Sequence, residues 1–372
     1  MRRSAGRGEP RETHRIEAGR RRRGVRMSTR PGPFESSTVP QPVTLADIAR
    51  EAGTSASTAS RALSGHGYVS ESARRRLTEV AERLGYVPNA SARTLKQRTS
   101  RVVGVVVSDL GNQFYALLAA GIGQVLSEAN YQMMVLGDNS EAAEEVAGAR
   151  TFLAMRAPGV IMTPVGTDAT EVLRAQGVAV VEVDRRLAGA PCDAVVIDNE
   201  RGAREATMHL AGQGHARIAF LGVETDWTSD AGRLNGYRTA LRNAGIAYDR
   251  NLVVRIPVHA PDTESRIESL LDDRRPTGIF AANNTLAEQA WRVLRRRGLR
   301  LPEDISLVGF DDVTWMGMVE PAITVVEQPT LELGRCAARL LLQRMSGSTL
   351  PPVVEVLQPR LVVRGSTGPA PA

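Results

Sequence analysis

Cysteine, aromatic residues and lysine are all scarce in this chain. Two cysteines in 372 residues, Cys192 and Cys336, lie far apart without a partner motif. That excludes a disulfide framework and a cysteine-based metal site, and both thiols read as reduced and buried. Aromatics are 4% of the residues, so aliphatic side chains must fill the core. No apolar run approaches the ~20 residues of a membrane span. The arginine-rich start is not followed by the apolar stretch of a secretory signal, so a cytoplasmic chain without membrane contact is expected. No strand pattern runs into G-x-G-x-x-G or a P-loop, and His209, His215 and His259 show neither metal-ligand spacing nor a nucleophile pattern. Neither an enzyme nor a cofactor is therefore expected. Lysine occurs once, at Lys96, so the positive charge is almost wholly arginine.

The formal net charge of +6 is unevenly spread. Residues 1–43 carry 11 Arg against 4 Glu, and residues 44–98 carry 9 Lys and Arg against 5 acids. The remainder is therefore net acidic, and the basic end suits an anionic partner. Residues 1–42 show no periodicity and read as a disordered basic extension. Met27 within it is an alternative start, since the ordered pattern begins only at Val43.

From Thr44 the texture becomes helical. Thr44, Ser55 and Ser70 each stand as an N-cap before a short apolar-periodic segment, and Gly53, Ser64-Gly65 and Gly85 end those segments. Three short helices in about 40 residues, the first two joined by a glycine-containing turn, describe a helix-turn-helix domain. From Val102 apolar β-branched runs alternate with helical segments, which means α/β units on parallel sheets. A first series of strands is expected at Val102–Val107, Gln132–Leu136, Gly159–Met162 and Ala179–Val183. A second is expected at Ala194–Ile197, Ile218–Leu221, Leu252–Val254, Gly278–Phe280 and Ser306–Val308. About 270 residues is long for one doubly wound sheet, so two sheets with a ligand cleft between them are expected.

Val43-Thr44-Leu45-Ala46-Asp47-Ile48-Ala49, Gly53-Thr54-Ser55 and Thr58-Ala59-Ser60-Arg61-Ala62-Leu63 resemble the LacI/GalR family of bacterial transcription regulators. So do Leu84-Gly85-Tyr86-Val87-Pro88-Asn89 and the following Ala92-Arg93-Thr94-Leu95-Lys96. Val183-Asp184-Arg185-Arg186, Arg233-Leu234-Asn235-Gly236-Tyr237, Gly309-Phe310-Asp311-Asp312 and Glu327-Gln328-Pro329 extend the resemblance over about 44–365.

The resemblance implies a homodimeric, effector-controlled regulator, most simply a repressor, acting at the nucleoid on a palindromic operator in double-stranded DNA. Its parts are an extension at 1–42, a helix-turn-helix domain at 43–88 and a hinge helix with linker at 89–100. A two-lobed, periplasmic-binding-protein-like body of two doubly wound parallel sheets follows at 101–365, then a flexible tail at 366–372. Thr44, Ser55, Ala56, Ser57, Thr58, Ser60 and Arg61 fall at its DNA-contacting positions, Arg61 as a reader of guanine O6 and N7. Asn89, Ala92, Arg93, Leu95 and Lys96 fall on the hinge, with Leu95 as a wedge at the central base step. Phe114, Asp184, Arg233, Asn283, Asp311 and Gln328 fall at effector-contacting positions. Tyr115, Trp227 and Trp315 are further candidates for stacking. The family usually carries Asn-Asp where this chain has Asn283-Asn284. A periplasmic binding protein or a nucleotide-dependent enzyme could share the body, but the first lacks a helix-turn-helix and the second needs a phosphate loop.

Overall fold

The computed structural model describes residues 43–65, 67–87, 99–187 and 192–371. The chain divides at residue 88 into two units. In the first, α1 (Leu45–Glu51), α2 (Ala56–Ser64) and α3 (Glu71–Arg83) each begin at a hydroxyl cap. Thr44 and Asp47 form a reciprocal capping box, Ser55 Oγ accepts from Thr58 N–H at 3.2 Å, and Ser70 Oγ from Ala73 N–H at 3.4 Å. Each such cap is worth about 1 kcal/mol. Ile48, Ala49, Ala52, Ala59, Ala62, Leu77, Val80 and Ala81 form the shared core. The alanines allow three short helices to meet over so small an apolar volume.

The second unit holds, among the described residues, two six-stranded sheets. The first contains β1 (Val102–Val107), β2 (Gln132–Gly137), β3 (Gly159–Met162), β4 (Ala179–Val183), β5 (Asp193–Ile197) and β11 (Val354–Leu357). Their order is β11-β5-β4-β3-β1-β2, parallel throughout. The helices α4 (Gln113–Glu128), α5 (Ala142–Ala154) and α6 (Thr167–Ala175) connect them. The second contains β6 (Ile218–Val223), β7 (Val253–Ile256), β8 (Gly278–Ala281), β9 (Ser306–Phe310), β10 (Thr324–Glu327) and β12 (Arg360–Val362). Their order is β12-β10-β9-β8-β6-β7, with only the β10–β12 pair antiparallel. Its helices are α7 (Asn199–Gly212), α8 (Thr228–Asn243), α9 (Thr263–Arg274), α10 (Asn284–Arg296) and α11 (Thr314–Met318). The chain passes between the two lobes after β5, after β10 and after β11.

Two expectations are corrected, and one helix appears that was not expected from the sequence. The strand over Ala194–Ile197, expected to open the second series, pairs with β4 and belongs to the first sheet. Alternation reveals strands but not their partners, and the short sequence separation of Val183 from Ala194 was the available signal. A further helix, α12 (Thr330–Met345), returns the chain to the first lobe and packs along α4. A Cβ on Gly334 would fall 2.3 Å from Leu118 O, and one on Gly121 2.2 Å from Leu331 O, so the two helices cross with their backbones in contact. Leu118, Ile122, Leu333, Ala337 and Leu341 are buried around that crossing. Lastly, residues 366–370 are not a loose tail. Ser366 is fully buried, donating to Leu307 O at 2.6 Å and accepting from Thr324 N–H at 2.8 Å. Gly368 N–H reaches Ser306 Oγ at 3.1 Å, and Ala370 N–H reaches Gln213 O at 2.9 Å. Short polar residues gave no apolar pattern, yet their backbone satisfies the edge of the second lobe.

Candidate functional site

The first candidate site is the exposed face of α2. Ala56, Ser57 and Arg61 are exposed there, Thr58 and Ser60 are half-buried, and Ala59 and Ala62 turn into the core. Arg61 Nε donates to Ser57 O at 3.3 Å, which orients the guanidinium and leaves both Nη groups without a partner among the described residues. Ser55 Oγ meets the hydroxyls of Ser57 and Thr58, both at 2.9 Å, so three short hydroxyls cluster at the helix N-terminus. Thr44 Oγ1 donates to Asp47 at 2.6 Å, and its side chain is occupied by the α1 cap. A helix with small polar side chains and one long guanidinium can enter a major groove closely and contact phosphates and bases. Asn89, Ala92, Arg93, Leu95 and Lys96 lie outside the described residues.

The second site is a cavity of about 80 Å³ between the lobes. It is lined by Phe114, Asp184, Arg233, Asn283, Asp311 and Gln328, so the six effector-contact candidates come together. Tyr115 and Trp227 also line it. Trp315 does not: it packs on Trp291, ring centroids 5.8 Å apart, within the second lobe.

Asp184 and Asp311 follow β4 and β9, and both have φ of 70°. A non-glycine residue held in that left-handed region costs of order 1 kcal/mol, and such residues cluster at functional sites. The carboxylates differ in their surroundings. Asp311 Oδ1 accepts from Gln328 Nε2 at 2.5 Å, and Oδ2 accepts from the Asn284 backbone N–H at 3.3 Å and from Asn284 Nδ2 at 3.1 Å. The Asp184 carboxylate accepts no hydrogen bond from the described residues. Burial pushes it up to about 6, opposed by the nearby guanidinium groups of Arg233 and Arg185. Arg233 is fixed by Asn199 Oδ1 at 2.8 Å and Ala282 O at 2.7 Å, with its guanidinium 3.9 Å from the Phe310 ring centroid. Asn283 caps α10 by accepting from Leu286 N–H at 2.8 Å. Gln328 Oε1 is buried without a hydrogen-bond partner among the described residues. An acceptor-only carboxylate, a fixed guanidinium and an orphaned amide oxygen around one cavity suit a neutral polyhydroxy ligand, whose hydroxyls both donate and accept.

Sequence reasoning missed Asn112, Arg185, Ser229 and Asp230, which also line the cavity. Arg185 is buried, donates to Pro164 O at 2.7 Å and to Ser108 Oγ at 2.5 Å, and stacks on Trp227 of the other lobe at 3.6 Å. Its place beside Asp184 at a strand end was the signal. Asn112 was readable only as the cap of α4.

Among the described residues, no helix is long and apolar enough to cross a membrane. Residues 44–89 match the profile of the bacterial regulatory proteins of the lacI family, and residues 207–367 that of the periplasmic binding protein-like domain. The HTH-type transcriptional regulator CelR of Thermobifida fusca is 38% identical over 336 residues, covering 87% of this chain and 98% of its own. The structure of a transcriptional regulator CelR–cellobiose complex superposes with a TM-score of 0.67 at 34% identity, covering 87% of this chain and 99% of that one. A lac repressor dimer bound to operator and the anti-inducer ONPF superposes at 0.76 with 27% identity, covering 88% and 100%. The three-helix unit and the two-lobed body are thus both accounted for together, and the chain belongs to the LacI family: it is a DNA-binding transcriptional regulator, not an enzyme.

Proposed function

We propose that this regulator is a homodimeric repressor that binds a palindromic operator and responds to a sugar held between its lobes. The reading assigns 43–88 to operator recognition, 89–100 to a hinge, and the remainder to effector binding and dimerisation. On α2, Arg61 reads a guanine edge while Ser55, Ser57, Thr58 and Ser60, with Thr44 ahead of α1, lie along the phosphates and Ala56 leaves room for close approach. In the hinge, Leu95 wedges the central base step, with Asn89 as cap, Ala92 at the helix contact, and Arg93 and Lys96 on phosphates. Phe114, Asp184, Arg233, Asn283, Asp311 and Gln328 surround the effector. The protein works in the cytoplasm, at the nucleoid.

The observation that carries the effector half is the Asp184 carboxylate, buried at the cavity yet without a hydrogen-bond donor from the described residues. The carboxylate faces the cavity with no internal donor to displace, and Gln328 Oε1 on the same cavity is buried without a partner among the described residues, a cost that a ligand donor would relieve. The relative whose structure holds cellobiose makes that sugar the first effector to test. Selection from a random duplex library yields the operator, and titration of the bound complex with cellobiose, ribose and other sugars tests the response. A sugar that changes operator affinity tenfold or more is expected. Operator binding indifferent to every sugar would exclude this effector class.

A further inference from the structure

The closing faces of the two lobes meet at one buried polar cluster. On the first lobe, Asn112 Oδ1 accepts from Phe114 N–H at 3.0 Å and so caps α4. The same oxygen accepts from Asn284 Nδ2 on the second lobe, also at 3.0 Å. The Phe114 N–H fixes the orientation of the Asn112 amide: turned over, it would set its NH₂ against a backbone N–H. The first lobe therefore presents an acceptor, and residue 284 must be a donor. Asn284 is buried, and its remaining amide hydrogen reaches Asp311 Oδ2 at 3.1 Å. With its backbone N–H and Gln328 Nε2, three of the roughly four acceptor positions on Asp311 are filled from within the chain.

We propose that Asn284 is a positioning residue that holds the two lobes together before any effector arrives. It donates at once to Asp311 on its own lobe and to Asn112 on the other. The other hydrogen bonds across the cleft, among the described residues, lie at more exposed positions: Gln113 with Thr314, Arg186 with Thr228, and His259 Nε2 with Asn139 O, while Arg185 stacks on Trp227 without a hydrogen bond between them. An aspartate at 284 has the same shape but no proton to give. It would set a second carboxylate beside Asp311 and against the Asn112 oxygen, converting attraction across the cleft into repulsion. Because the free protein is already held closed, the effector has less closure left to drive, and residue 284 sets how large its response is. The clasp rests on the contacts alone. Only its consequence for the effector rests on the reading of the cavity given above.

Two backbone amides report on closure directly. Arg186 N–H donates to Thr228 Oγ1 at 3.1 Å, and Thr314 N–H donates to Gln113 Oε1 at 2.8 Å, each to an acceptor on the opposite lobe. Hydrogen exchange on the full-length, ligand-free protein tests the proposal. Asn284→Asp is expected to speed exchange at Arg186 by tenfold or more and Asn284→Ala by less. Asn112→Asp keeps both acceptor bonds and is expected to leave Arg186 as in the unmodified protein. A role confined to the start of α10 would change exchange only around residues 284–287. Unchanged protection of Arg186 in folded Asn284→Asp, or in Asn284→Ala should the aspartate variant not fold, overturns the proposal. Because no effector is added, that failure is separate from a failure to find one.

Discussion

Asp184 and Asp311 occupy equivalent strand ends in the two lobes with the same left-handed φ of 70°, yet of the two carboxylates only that of Asp311 accepts hydrogen bonds from the described residues. The asymmetry makes Asp311 part of the frame and Asp184 the open acceptor. Burial pushes Asp184 up to about 6, against the pull of Arg233 and Arg185. If its ionised form accepts the effector's hydroxyls, effector affinity is constant at pH 7–8. Below about pH 6 it falls roughly tenfold per pH unit as the carboxylate takes up a proton. Calorimetric titration between pH 5 and 8 reads this directly. A flat profile removes Asp184 from the contact.

Operator recognition should depend on Arg61 and Leu95 in different ways. Arg61→Ala removes the one long donor on the exposed face of α2, and a loss of about 1–3 kcal/mol with relaxed specificity at one base pair is expected. Leu95→Ala should lose about 2–4 kcal/mol and reduce operator bending, while weak non-specific binding persists through phosphate contacts. Gel-shift and bending assays on the selected operator check both.

The crossing of α4 and α12 predicts a sharp contrast between two glycines. A Cβ at Gly334 would meet Leu118 O at 2.3 Å, so Gly334→Ala must push the helices apart and should cost more than 2 kcal/mol. Gly212, in the last turn of α7, has nothing within 4 Å of the position its Cβ would take, and Gly212→Ala should stabilise by about 0.5–1 kcal/mol. Denaturant unfolding of both variants tests the pair.

Glu182 on β4 is 1% exposed, and burial raises its carboxyl to about 7, while Leu187 N–H bonds to one oxygen and the other has no partner among the described residues. The native state thus holds this proton more tightly than the unfolded chain. Its contribution is full below about pH 4.5 and is lost as pH rises through about 7. Glu182→Gln keeps an acceptor for Leu187 and cannot ionise. It should therefore be more stable than the unmodified protein at pH 8, by up to about 3 kcal/mol, with the gap closing toward pH 5. Thermal unfolding across that range checks the sign.

Much of this architecture was legible before the fold. The hydroxyl caps at Thr44, Ser55 and Ser70 announced three helices because each precedes an apolar period, and the β-branched run at Val102 announced a buried strand. The six effector candidates were legible through the family resemblance; Asp184, Asn283, Asp311 and Gln328 meet because strand ends on two sheets point into one cleft, while Phe114 and Arg233 reach it from helices. What stayed hidden was pairing over long separations. The partner of β5, the return of α12 and the docking of Ser366 depend on contacts between residues far apart in sequence, where local periodicity is silent. Asn284 was visible only as a departure, an amide where the family usually has a carboxylate. Its meaning needed the Asn112 oxygen 172 residues away.

In the proposed function, a ligand at Asp184 governs DNA binding by residues 43–100. That control is tested most directly by measuring operator affinity of the full chain and of Asp184→Asn, each with and without the sugar that shifts the unmodified protein. The account predicts equal affinity of the two proteins without sugar, and a response at least tenfold weaker in the variant. A variant that responds to the sugar as the unmodified protein does would contradict it.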